Sequence, residues 1–263
     1  MILDTIAEST RKRVKIGKEK VSPEMMMHRA MNMPKGEFNF EKQLIKPGIS
    51  FICEVKKASP SKGIIAEDFP YVQIAKEYEE AGAAAISVLT EPEFFMGSSR
   101  YLTEIHQAVS IPLLRKDFVI DEYQLYEAKC IGASAALLIC SLLDEETLKY
   151  YIKICDQLGL SALVEAHSDE EVLTAIRAGA RIIGINNRNL KNFQVDFGNA
   201  VRLRKMVPPE VLFVAESGIK NASDIKLLEE AKVNAVLIGE TLMRAADKKA
   251  ALAELRKGCL VYD

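Results

Sequence analysis

The chain has 263 residues, 49% hydrophobic and 27% charged, with 35 basic against 37 acidic side chains and a net charge of −2. That balance suits a folded globular α/β protein of one large domain and lacks the basic bias of a nucleic-acid binder. No apolar run approaches the roughly 18 residues of a membrane span, and the charged N-terminus "MILDTIAESTRKRVKIGKEK" has no signal-peptide block. Cys53, Cys130, Cys140, Cys155 and Cys259 show no C-x-x-C spacing, and His28, His106 and His167 form no ligand motif. Reduced thiols in a cytoplasmic protein with no metal site are therefore expected.

Along residues 1–47, "ILDTIAESTRKRVKI" carries apolar residues at positions 2, 3, 6, 14 and 16, a partial helical stripe. "SPEMMMHRAM" opens with Ser22 and Pro23, a favourable N-cap and N1 pair. The pattern predicts two helices docked on the rest of the chain, rather than a flexible arm. After residue 47, eight short apolar segments begin at "GISFICEV", "AAAISVLT", "IPLLRKD", "SAALLIC", "LSALVEA", "RIIGINN", "VLFVAES" and "NAVLIGE". Amphipathic stretches such as "YVQIAKEYEEAG", "DEETLKYYIKICDQLG" and "SDEEVLTAIRAG" separate them, often opening on an Asp or Ser cap and closing on Gly. Near-continuous apolar strands joined by helices indicate a parallel sheet covered on both faces. Eight units in this length predict a (β/α)8 TIM barrel with additional N-terminal helices, residues 1–263 forming one domain and 1–47 a packed extension. A doubly wound sheet would have fewer strands and, for a dinucleotide, a G-x-G-x-x-G after "FICEV", which is absent.

In a barrel the functional end is the C-terminal end of the strands. Polar residues recur there: Glu54 and Lys56, then Thr90 and Glu91 after Leu89, then Lys116 and Asp117. Strand four ends apolar around Leu137. The later strands end in Glu165, in Asn186, Asn187 and Arg188, in Glu216, Ser217 and Gly218, and in Gly239 and Glu240. One such charge is usually a solvated loop residue; several converging on one mouth form a functional cluster, because buried charge is costly unless paired or used. The Gly-containing loops after strands seven and eight, with Ser217, Gly218 and Gly239, suit a phosphate.

The ordered set "ICEVKKASPSKG", "ISVLTEPEFFMGS", "IPLLRKDFVIDEYQLYEA", "LVEAHSDEE", "IGINNRNL", "VAESGI" and "VLIGETLM" resembles the indole-3-glycerol phosphate synthase family over nearly the whole chain. The resemblance implies ring closure, decarboxylation and dehydration of 1-(2-carboxyphenylamino)-1-deoxyribulose 5-phosphate to indole-3-glycerol phosphate, in tryptophan biosynthesis, without metal or organic cofactor. It implies functional roles for Glu54, Lys56, Lys116, Glu165, Asn186 and Ser217, with Glu216, Arg188 and Ser59 contributing. Glu240 stands where some relatives carry a small Ser; its backbone amide remains available to a phosphate. The expected partner is a small phosphorylated substrate, with no nucleic acid and no membrane; a monomer and a weak association with other tryptophan-pathway enzymes are both compatible.

The chemistry assigns work to these groups. Ring closure gathers negative charge on a ketone oxygen, so a positioned proton donor lowers the barrier, and Lys116 is the choice. Dehydration needs an acid at the leaving oxygen and a base, with Glu165 as the acid/base group and Lys56 able to assist either step. Glu54 orients the lysines, Arg188 or a lysine holds the substrate carboxylate, and Phe118, Leu89 and Leu137 enclose the aromatic ring. Three rivals remain: a Schiff-base aldolase, a phosphoribosylanthranilate isomerase-like enzyme using Cys53, and a barrel kept as a binding scaffold. Alternation places Cys53 toward the helices if Glu54 faces inward.

Overall fold

The computed structural model describes residues 2–189 and 193–259; Leu190, from the "NNRNL" motif, lies outside the described residues. Eight parallel strands close a barrel: β1 (Ser50–Val55), β2 (Ala85–Leu89), β3 (Leu113–Lys116), β4 (Ala135–Ile139), β5 (Ser161–Ala166), β6 (Ile182–Asn186), β7 (Leu212–Glu216) and β8 (Ala235–Ile238). Each strand pairs with its sequence neighbours, and β1 pairs with β8 through Ser50↔Ala235 to Cys53↔Ile238. Closure removes the exposed edges that an open sheet would leave.

The pleat sorts the strand residues. Ile52, Ala85, Leu114, Ala135, Leu163, Ile182, Val214 and Ala235 form the inner core, with Leu137, Ile139 and Leu237 above them. Phe51, Cys53, Val55, Ile86, Val88, Leu113, Ala136, Leu138, Ile183 and Phe213 face outward into the shell shared with the helices. Cys53 is fully buried on that outer side, and burial pushes its thiol up to about 12. The isomerase-like reading, which needs a cysteine at the mouth, thereby loses its residue.

Three helices, not two, precede the barrel: α1 (Ile2–Lys20), α2 (Pro23–Met31) and α3 (Asn39–Leu44). The Ser22 hydroxyl caps α2 by accepting from Met25 N, with Pro23 at N1. Ile2, Leu3 and Ile6 of α1 reach the barrel mouth, Val14 packs into the outer shell, and Ile16 faces solvent. Helix α3 closes the opposite end: Phe40 and Leu44 are fully buried beneath the inner core, and the Ser50 hydroxyl at the start of β1 donates to Gln43 O. This helix is six residues long and enters through Phe38 at φ 55°, an unusual conformation for a non-glycine residue.

The helices of the repeating units are α4 (Tyr71–Glu80), α5 (Ser99–His106), α6 (Tyr123–Cys130), α7 (Glu145–Leu158), α8 (Asp169–Arg177), α9 (Gly198–Arg204), α10 (Ala222–Glu230), α11 (Glu240–Met243) and α12 (Lys248–Arg256). Where a side chain caps them it is of the type a capping argument selects, as where Asp144, Ser168 and Asn221 accept from the backbone N–H groups of Thr147, Glu171 and Asp224; α4, α6, α9 and α11 have no side-chain cap. The apolar pattern alone does not mark α5, α9, α11 and α12. Helix α2 of the extension runs against α6, so the extension passes from the mouth, down one side, to the floor.

Candidate active site

A cavity of about 670 Å³ opens at the C-terminal ends of the strands. It is lined by Glu54, Lys56, Ser59, Leu89, Lys116, Phe118, Leu137, Glu165, Asn186, Arg188, Glu216, Ser217, Gly218, Gly239 and Glu240, all of them nominated from the sequence. Their convergence follows from the strand register. Leu89 is opposite Lys116, Gly184 opposite Glu165, and Asn186 opposite Glu216. Residues far apart in sequence therefore end at the same height of the barrel.

Lys116 sits at the centre. Its Nζ donates to Glu165 Oε2 at 2.8 Å and to Glu216 Oε2 at 2.7 Å. Burial alone would lower its pKa; Glu165, Glu216 and Glu54 outweigh that and hold it raised, so the ammonium is charged at neutral pH. This state disfavours the Schiff-base reading, which needs a neutral amine. A second pair lies beside it, with Lys56 Nζ donating to Glu54 Oε1. Lys56 is the next residue after β1, and its side chain folds back over the strand end.

The two carboxyls that share Lys116 differ. Burial would raise Glu165, but Lys116 and His167 overcome it and hold the group well below the usual carboxylate range. Asn186 Nδ2 also donates to Glu165 Oε1 at 3.3 Å. For Glu216 burial prevails, and the neighbouring Glu165 charge adds to it despite Lys116, raising the group to about 7. Its Oε1 is buried without a hydrogen-bond partner. One carboxyl is thus kept ionised and the other is poised to hold a proton.

Two glycines make room for these groups. A Cβ at Gly184 would collide with Glu216 Oε1, and one at Gly239 would collide with Glu54 Oε1 and Lys56 Nζ. The rim after β7 is bent by consecutive left-handed residues, Ser217 at φ 66° and Gly218 at φ 84°. Asn187 pins this bend: its Nδ2 donates to Ser217 O at 3.1 Å, and its Oδ1 accepts from Ala200 N. A non-glycine residue in that region is strained, and such strain clusters at functional sites. After β8, Gly239 leads into the four-residue α11, and the Glu240 carboxylate faces Lys62 at 3.4 Å, Arg244 at 3.2 Å and Arg188 at 3.9 Å.

The profile of the indole-3-glycerol phosphate synthase family matches residues 3–255. The chain belongs to that family. The indole-3-glycerol phosphate synthase of Ruminiclostridium cellulolyticum is 59% identical over 257 residues, 97% of this chain and 99% of the relative. That of Endomicrobium trichonymphae is 55% identical, again over 97% of this chain and 100% of the relative. The solved structure of a 3-hexulose-6-phosphate synthase from Salmonella typhimurium has a TM-score of 0.65 at 12% identity, covering 80% of this chain and 97% of that one; it shares the fold alone.

Several groups around the mouth of this family member escape a reading of the sequence. His167 lies with Nε2 3.4 Å from Glu165 Oε1; its position two residues past Glu165 puts it on the same side of an extended chain, which is the available signal. Asp117 has the sequence position of a mouth residue but belongs to a buried network. It accepts from Arg13 Nη1 and Nη2 at 2.8 and 2.7 Å, from Thr90 Oγ1 at 2.7 Å and from Phe118 N at 2.9 Å. Despite burial, Arg13 and Arg115 hold its carboxyl down at about 2. Glu91 is likewise structural, accepting from the backbone N–H groups of Glu93, Phe94 and Phe95. Arg13 ties α1 to the turn between Lys116 and Phe118, a contact across 104 residues that no local motif announces. Among the described residues no group of three or more His, Cys, Asp or Glu could hold a metal ion.

Proposed function

We propose that the mouth performs the indole-3-glycerol phosphate synthase reaction on 1-(2-carboxyphenylamino)-1-deoxyribulose 5-phosphate by Lys/Glu acid–base catalysis. The observation that carries this is Lys116 held by hydrogen bonds between Glu165 and Glu216 at the C-terminal end of a barrel of this family. Attack of the aromatic carbon on the ketone turns the ketone oxygen into an alkoxide, and Lys116 supplies its proton. Carbon dioxide then leaves with the carboxylate carbon, restoring the aromatic ring. The new hydroxyl departs as water with a proton from Lys56, while Glu165 accepts the proton released from the ring. Glu54 keeps Lys56 aimed at the leaving oxygen.

Phe118, Leu89 and Leu137 enclose the anthranilate ring, joined by Phe95 and by Ile6 from α1. Asn186, Ser59 and Arg188 contact the polar parts of the substrate, with Arg188 facing its carboxylate. Ser217 and the backbone amides at Gly218, Gly239 and Glu240 receive the phosphate. The extension and barrel act as one unit in the cytoplasm, where the five free thiols stay reduced; among the described residues no helix is long and apolar enough to cross a membrane. Incubation with the carboxyphenylamino substrate tests the reading directly: indole fluorescence should appear, and its absence with folded protein would overturn it.

A further inference from the structure

His167 belongs to none of the steps above, yet it is built into the site. Its main-chain N–H donates to Glu171 Oε2 at 2.7 Å, and its Nδ1 lies 3.2 Å from the same oxygen. Its carbonyl accepts from Asn199 Nδ2 at 3.2 Å. Glu171 is fixed in turn, because it is the third residue of α8 and its own N–H donates to the Ser168 cap. A plain helix-capping role would explain the contacts to Glu171. It does not explain the other edge of the ring, where Nε2 is buried, has no hydrogen-bond partner and lies 3.4 Å from Glu165 Oε1.

We propose that His167 is a positioning residue whose imidazolium, seated between Glu171 and Glu165, decides which of the two carboxyls around Lys116 stays ionised when Lys116 gives up its proton. This rests on the reading of Glu165 as the base. At rest the Lys116 ammonium bonds both Glu165 and Glu216, and a further proton is held by the raised Glu216 carboxyl. Once the Lys116 proton moves to the ketone oxygen, that one remaining proton is shared by two buried carboxyls facing a neutral amine. A cation beside Glu165 and farther from Glu216 keeps it on Glu216 and leaves Glu165 ionised and free to act.

The surroundings support a charged ring. Burial works against the cation, but Glu171, Glu165 and, farther off, Glu216 overcome it and raise the imidazole above its ordinary value. The groups on the neighbouring elements are Cys140 from the end of β4, whose Sγ is 3.6 Å from Glu171 O; Asn199 from α9; Asn186 from β6; and Lys116 from β3, across Glu165. Of these only Lys116 is cationic, and it is paired with Glu165 and Glu216.

The chain has three histidines, so the ring of His167 can be followed by NMR in the substrate-free protein. It should titrate above the ordinary value of about 6.5 and fall in Glu165→Gln and in Glu171→Gln. Titration at or below about 6.5, or indifference to Glu165→Gln, would overturn the proposal whether or not the protein turns over substrate. The kinetic arm compares wild type with His167→Gln, which keeps an amide donor but not the charge, and with His167→Asn in case the glutamine packs badly. Wild-type kcat should exceed the variant's by about tenfold at pH 6, the worth of about one pK unit. That advantage should vanish as pH rises through the His167 titration, because the wild-type ring is then also neutral. A ratio independent of pH would reduce His167 to a structural cap.

Discussion

At the floor of the barrel, α3 adds Phe40 and Leu44 to a cluster of apolar side chains that includes Ile52, Leu114 and Val214. At the mouth, α1 presents Ile6 beside Phe118 and Leu137, but directly below lie Glu54, Lys56, Lys116, Glu165 and Glu216. The same strands supply both layers, a few residues apart. The floor gains stability from every side chain it buries, about 25 cal/mol per Å² of apolar surface. The mouth holds ionised groups at a depth where each is tolerated only because another opposes it. Stability and chemistry are therefore separated along the barrel axis, and substitutions at the two ends should move different measurements.

The largest effect expected is on the floor. Phe40→Ala removes a fully buried ring and should cost about 3–5 kcal/mol in denaturant unfolding. Turnover at a temperature where the variant is folded should stay within about twofold of wild type, well inside the factor of ten that about 1.36 kcal/mol represents. A large fall in turnover would show that the ends are coupled.

At the mouth, Lys116→Met keeps approximate bulk and removes the proton donor, and Glu165→Gln keeps shape and removes the base. Each should lower kcat by about 100-fold or more, equivalent to about 2.7 kcal/mol of barrier, with the protein still folded. Near-normal turnover in a folded Lys116→Met protein would move the general-acid role to Lys56. Lys116→Met also leaves Glu165 and Glu216 without their shared cation, so its unfolding should become more sensitive to rising pH.

A smaller effect separates Glu216 from Glu165. Glu216 is raised to about 7 in the folded protein, above the ordinary carboxyl value of about 4.3. A group raised on folding contributes stability that is full below its unfolded pKa and is lost as pH rises through its folded pKa. Between about pH 4.3 and 7, Glu216 should thus increasingly destabilise the fold. Glu216→Gln should gain on wild type across that window, by about 1–3 kcal/mol. A constant difference between the two proteins from about pH 5 to 8 would show that Glu216 titrates normally.

The two ends also differ in how far sequence reveals them. The mouth residues are legible because strand ends in a barrel are functional by position and because alternation assigns sides, Glu54 inward and Cys53 outward. The floor is not, because α3 is shorter than two helical turns and starts from the left-handed Phe38, so it carries no usable period. Arg115 shows the limit of adjacency. It precedes Lys116 yet points outward and is fully buried, donating to Thr90, Asp117, Glu127 and Gln124 O. Its partners are spread along the chain, and only the fold brings them together. The divergence of Glu165, held low, from Glu216, raised, is likewise hidden, since it depends on burial, on Lys116 and on His167.

The smallest effects should appear at the phosphate rim, where two substitutions pull in opposite directions. Ser217→Ala removes a hydroxyl while the bend pinned by Asn187 remains, and KM should rise by a few-fold with kcat unchanged, as for a binding contact made equally in ground and transition states. Glu240 is a different case. Its carboxylate occupies the company of Lys62, Arg244 and Arg188, three cations that would otherwise face an incoming dianion. It is about one-third exposed, so each of these contacts is weak. Glu240→Gln keeps the backbone amide and removes a charge that repels the phosphate. KM should therefore fall by a few-fold at low ionic strength, and the gain should fade as salt screens the rim. A rise in KM would give the carboxylate the opposite role, that of holding Lys62 and its loop over the mouth.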